Sequence, residues 1–130
     1  MSIVFLDAKN RPITPNEDSS CRLRFRATDF DGTPIPFASL LSATMTLKDK
    51  TTAETINGWN ETNIMTNCES DGLFTIFLQP EDNVIVNPDA KSPTEIHIAT
   101  IVVRANGTVG TIQNKEDALI EVKNLQFVTE

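Results

Sequence analysis

The stretch TEIHIATIVVR, residues 94–104, is the longest β signal in the chain. It is rich in β-branched side chains, which pack well on a pleated surface. A second stretch, CRLRFRAT at 21–28, gives the pattern its period. Cys21, Leu23, Phe25 and Ala27 alternate with Arg22, Arg24, Arg26 and Thr28. A repeat of two makes a strand with one apolar and one cationic face.

Shorter strands flank these two. SATMTLKDK (42–50) sets Ala43, Met45 and Leu47 against Thr44, Thr46 and Lys48, and DALIEVKNLQFV (117–128) alternates at Ala118, Ile120 and Val122. LFTIFL (73–78) is an apolar run of the kind a fully buried strand shows, residues 62–66 read as a return strand, and Ile3–Leu6 is a short apolar start. Turn chemistry separates them. DFDGTPIP and ESDG combine Asp, Gly and Pro, while Asn57-Gly58 and NGTVG (106–110) are hairpin signals. QPEDNVIVNPDAKSP (79–93) reads as a long loop or a one-turn helix. No segment carries a helical period. About seven or eight short strands at this spacing predict an all-β antiparallel sandwich. Two prolines and NEDSS separate Ile3–Leu6 from the first long strand. Residues 1–20 are therefore expected as an N-terminal arm or first edge strand with a loop, and 21–130 as the β-sandwich domain.

A length of 130 residues suits one domain. The net charge is -7; residues 1–80 hold 7 basic and 10 acidic groups, and residues 81–130 hold 4 and 8. Neither half has the basic excess that phosphate binding needs, so no nucleic acid partner is expected. No apolar run approaches the length of a membrane-spanning helix, so no membrane partner is expected either. The start MSIVFLDAKNR has no basic leader, which predicts synthesis and first folding in a cytoplasm. Cys21 and Cys68 are the only cysteines, and Trp59 lies 38 residues after Cys21, far from the spacing of an immunoglobulin disulfide core. Two reduced thiols are the expectation.

Little in the sequence points to chemistry. His97, the sole histidine, sits mid-strand between Ile96 and Ile98 and reads as an ordinary strand residue. One histidine and two distant cysteines do not suggest a zinc site. DFDG at 29–32 resembles the start of a calcium loop, but Thr33 and Ala38 break the EF-hand pattern and leave an Asp-Gly turn. Glu81, Asp82 and Glu95 read as solvated acids. The five glycines all fall in turns, so there is no phosphate cradle. The sequence thus predicts no catalytic, cofactor-binding or metal residues, no cofactor, and no enzyme.

Interaction residues are easier to name. The row Arg22, Arg24 and Arg26 is a solvated stripe, a stripe neutralised by acids on an adjacent strand of the same sheet, or an attachment strip for acidic groups of a neighbouring subunit. Trp59, beside the Asn57-Gly58 turn, is either an exposed anchor or a cap over one end of the sandwich. Val4, Phe5 and Leu6 are candidates for adding to a neighbour's sheet edge.

The order of parts LSATMTLKDKTTAETINGWNETNI (41–64), CESDGLFTIFLQPEDNVIV (68–86), TEIHIATIVVRANGTVG (94–110) and ALIEVKNL (118–125) resembles small immunoglobulin-like structural domains of tailed bacteriophage virions. It is similar in outline to N-terminal domains of baseplate upper proteins and to small head or neck accessory proteins. The resemblance implies an immunoglobulin-like sandwich that acts as a virion structural protein, in capsid decoration or as a neck or tail accessory. It also implies repeated copies, homo-oligomers, other virion proteins as partners and a place in the virion. The alternative expectation is a carbohydrate-binding or adhesin-like module with Trp59 as the sugar platform.

Overall fold

The computed structural model describes residues 1–8, 11–107 and 110–125. Its seven strands are β1 (Ser2–Phe5), β2 (Cys21–Thr28), β3 (Leu40–Asp49), β4 (Thr62–Asn63), β5 (Leu73–Leu78), β6 (Thr94–Gly107) and β7 (Gly110–Lys123). They form two antiparallel sheets, one ordered β1-β2-β5 and the other β4-β3-β6-β7. That order places strands one, two and five on one sheet and three, six and seven on the other, the arrangement of an immunoglobulin-like sandwich. No α-helix occurs among the described residues.

The period-two reading of residues 21–28 holds along the whole strand. Leu23, Phe25 and Ala27 are buried, and the arginines alternate with them on the other face. Phe25 pairs in register with Phe74 of β5 and stacks on it, with centroids 4.7 Å apart and planes 6° from parallel. Phe5 meets Phe25 edge-on at 5.9 Å. The facing sheet contributes Ala43, Met45 and Leu47 from β3, Ala99, Ile101 and Val103 from β6, and Ala118, Ile120 and Val122 from β7.

The turns follow their chemistry. Asn57 and Gly58 both have positive φ, 50° and 75°, as a type I′ turn requires. Gly72 has φ 91°, and a Cβ there would sit 2.1 Å from the carbonyl oxygen of Ile35, so only glycine fits. The NGTVG turn is closed by the pairing of Gly107 with Gly110; its residues 108 and 109, like the final part of the expected 117–128 strand, lie outside the described residues. The stretch expected to return as a strand over 62–66 keeps only Thr62–Asn63 and then tightens into a 3-10 turn, Met65–Asn67. Residues 79–93 contain two such turns, Pro80–Asp82 and Pro88–Ala90.

The leading segment differs from a free arm. β1 is an edge strand on β2, from Ser2 opposite Thr28 to Phe5 opposite Phe25, and Ile3 is part of the core. Farther on, Ile13 and Asn16 bridge β7 in parallel at Ile120 and Lys123. The amide of Ile13 donates to the Leu119 carbonyl at 3.1 Å, and the amide of Glu17 to the Lys123 carbonyl at 2.8 Å. Segment 1–17 thus contacts both sheets, because its backbone groups complete ladders that β2 and β7 would otherwise leave open. The amides of Ile13, Glu17 and Lys123 are accordingly expected to exchange far more slowly in the isolated chain than those of a free tail. Exchange at unprotected rates would show the segment undocked.

Candidate functional site

The arginine row finds its partners within the chain. Asp7, just past β1, accepts from the Arg24 amide at 3.1 Å, from Arg24 Nε at 3.1 Å and from Nη2 at 3.3 Å. Arg22 Nε lies 3.5 Å from the same carboxylate. Arg26 Nη2 donates to Asp71 Oδ2 at 3.1 Å, from the turn before β5. Burial pushes the Asp7 carboxyl up, but the hydrogen bond and charge of Arg24, helped by Arg22, outweigh it and hold the group below its ordinary value of 3.8. The neutralised-stripe reading therefore describes the three arginines, with acids supplied from strand ends. Around them, the outer face of the β1-β2-β5 sheet exposes Val4 (39%), Leu6 (44%) and Phe77 (61%). A shallow groove of about 480 Å³ runs beside Phe77, lined by Asp7, Ser20, Cys21 and Arg22. Val4 and Phe5 are paired to Arg26 and Phe25 of their own chain, and the Leu6 amide donates to the Arg24 carbonyl at 2.9 Å, so all three apolar residues expected to join a neighbour's sheet edge already sit along β2, with only the outer edge of β1 open.

Trp59 is a cap rather than an exposed anchor. It is partly buried against the core, and its Nε1 donates to Asp82 Oδ1 at 2.7 Å. Asn57 Nδ2 reaches the same oxygen at 2.8 Å, and Asp82 Oδ2 accepts from the Gln79 amide at 2.8 Å. Asp82 is 2% exposed, which corrects its reading as a solvated acid. A buried carboxylate is tolerable when several donors surround it, as they do here. The adjacent Asn83, also buried, donates to the Ser19 carbonyl at 2.7 Å and to Cys21 Sγ at 3.4 Å.

Glu95 is corrected in the same way. Its Oε1 accepts from the Val86 amide at 2.7 Å and its Oε2 from the Asn87 amide at 2.9 Å, pinning the loop after β5. The same Oε1 lies 2.6 Å from His97 Nε2. His97 is fully buried on the inner face of β6, directly opposite Asp49 of β3. Ligand-type atoms of Asp49, Glu95 and His97 all lie within 4.8 Å of one another. Asp49 and Glu95 also line a cleft of about 530 Å³, with Thr51, Asn87, Ser92 and Thr94. Sequence reasoning missed this constellation. Asp49 hid in the charged run KDK; the signal was that it continues the inward series Ala43, Met45, Leu47, just as His97 continues Ala99 and Ile101.

Both cysteines are free thiols. Burial pushes Cys21 up, and burial with the nearby Asp71 and Glu69 charges pushes Cys68 up to about 11. At neutral pH both stay protonated and weakly nucleophilic.

Two substitutions test these contacts. Asp7→Asn leaves Arg22 and Arg24 without their counter-charge and is expected to lower stability by about 1–2 kcal/mol in urea unfolding. Because the folded value lies below 3.8, the wild-type advantage should be complete above that pH and fade as pH falls through the lowered value. Asp82→Ala strands the Trp59 and Asn57 donors and is expected to cost about 3 kcal/mol. Trp59 is the sole tryptophan, so its emission should shift to the red in the same variant; an unchanged spectrum and melting curve would refute the cap.

No family model and no curated protein sequence matches the chain. Among solved structures it is similar to the titin M3 domain, at 12% identity over 94% of this chain and 97% of that one, with a TM-score of 0.36. It is also similar to AggA, the major subunit of aggregative adherence fimbriae type I from Escherichia coli, at 10% identity over 95% and 93% of the two chains, with a TM-score of 0.42. The immunoglobulin-like assignment rests on the strand order of the chain itself.

Proposed function

We propose that this sandwich is a non-enzymatic structural module of a tailed bacteriophage particle, a capsid decoration or a neck or tail accessory, that binds other virion subunits in repeated copies. The observation that carries the reading is the outer face of the β1-β2-β5 sheet. It combines three guanidinium groups with exposed Val4, Leu6 and Phe77 beside a shallow groove. Aromatic residues and arginine are the side chains enriched where proteins bind one another. The arginines are held in place by Asp7 and Asp71 rather than waving free, so the face is ordered before a partner arrives and less side-chain entropy is lost on docking. The sequence resemblance to virion structural domains supports the choice of partner. The sugar-platform alternative relied on an open Trp59, and the indole is instead turned to Asp82.

Phe77 sits outward on β5, so Phe77→Asp should leave the melting temperature nearly unchanged. It should remove the chain from particles in a co-sedimentation assay while wild type remains bound. Wild-type co-sedimentation of the folded variant would exclude this face, and failure of wild type to associate with any particle would exclude the virion reading itself.

A further inference from the structure

The inner face of the β4-β3-β6-β7 sheet is apolar along most of its length and ends in Asp49 and His97, 1% and 0% exposed. Glu95 Oε1 already accepts a backbone N–H from Val86. Acting as an acceptor, it assigns the proton of the neighbouring imidazole to Nε2, which donates to it at 2.6 Å. In a neutral ring with that tautomer, Nδ1 carries a lone pair, and it has no hydrogen-bond partner. On the opposite strand, Asp49 Oδ2 is used by the amide and hydroxyl of Thr52, both at 2.9 Å. Its Oδ1 is likewise buried and without a partner. Two buried electron-pair donors in one cluster do not satisfy each other; buried polar atoms in folded proteins almost always have a partner. Both lone pairs can be met at once by a bridging hydrogen-bond donor or by a metal ion, and an imidazole whose far N–H is held by a carboxylate is arranged for the second.

We propose that His97 Nδ1 and Asp49 Oδ1 are ligands for a divalent transition-metal ion of the zinc class. Glu95 is the positioning residue: a carboxylate that accepts the far N–H of a ligating imidazole fixes its tautomer and raises its basicity. An imidazole ligand favours zinc-like ions over calcium or magnesium, which prefer all-oxygen shells. Asp49 and Glu95 both line the cleft of about 530 Å³; Asp49 Oδ1 and His97 Nδ1 are themselves closed off from it, so the ion enters by a shift of the Asp49 side chain, which opens the site to the cleft. Bound there, the ion cross-links β3 to β6 at one pole of the sandwich, and through Glu95 it is coupled to the loop after β5.

The test uses the intact chain, stripped with a chelator, and zinc ion alone as the probe. His97 is the only histidine, so its two ring nitrogens can be followed without ambiguity by nitrogen NMR. The expected result is one zinc per chain by calorimetry, a displaced Nδ1 resonance and an Nε2 that stays protonated. Asp49→Asn should abolish saturable binding. Glu95→Gln should weaken it by about 10–100-fold, the usual effect of removing an outer-shell partner. If a variant fails to fold, the wild-type NMR titration still decides. A zinc titration that leaves Nδ1 unmoved overturns the proposal. So does unchanged binding in folded Asp49→Asn, or a neutral-pH Nδ1 that already carries a proton shared with Asp49 and keeps it when zinc is added.

Discussion

Phe25 stacked on Phe74 decides which face of β2 is inside. The two residues are cross-strand partners in the core, and a strand alternates strictly, so fixing one inward position fixes them all. A slip of one residue would carry Arg22, Arg24 and Arg26 into the apolar layer and expel Leu23, Phe25 and Ala27. Everything on the outer face follows from that register. The arginines stand outward, where Asp7 and Asp71 can reach them from the ends of neighbouring strands. Phe77, the outward neighbour of Ile76 and Leu78, is left in solvent for the same reason.

A second set of constraints works at the loops, through one buried carboxylate and one partly buried one. Asp82 accepts from Gln79, Asn57 and Trp59, and Glu95 accepts from Val86 and Asn87. Asp82 holds one backbone amide and two side-chain donors, and Glu95 holds two backbone amides, so the fifteen residues 79–93 keep one course with only two 3-10 turns of regular structure. In an acidic chain this is an efficient use of negative charge, since ionised acceptors make the stronger hydrogen bonds.

How much of this was legible in the sequence depended on range. The bounds of strands 21–28 and 73–78 were readable to the residue because period two and apolar runs are local properties, although the run LFTIFL read as fully buried and Phe77 is 61% exposed; Asn57-Gly58 announced its turn because few other pairs adopt positive φ so readily. Partners were not legible. Nothing near Arg24 in sequence names Asp7, and nothing near Trp59 names Asp82; a closed sandwich supplies both. Glu95 and Asp82 looked solvated because acids in polar stretches usually are, and nothing marked Asp49 and His97 as a buried pair because burial at a strand's end depends on what the opposite sheet and the loops cover. Residues 1–20 read either as an arm or as a first edge strand with a loop because Pro12 and Pro15 interrupt them; β1 takes the edge-strand course, and the amides of Ile13 and Glu17, which lie between and after those prolines, bond to β7.

The split allegiance of that leading segment also bears on the order of folding. β1 needs only β2, some twenty residues downstream, and can pair early during synthesis. Residues 13–17 need β7, and the Leu125 amide closes back onto the Glu17 side chain across 108 positions. Contacts of such separation carry a large loop-closure entropy and form late. One short piece of chain therefore takes part in both the first and the last events of folding. Until the final strand is made, the edge of the four-stranded sheet is missing, and Ile13 and Asn16 have nothing to bridge.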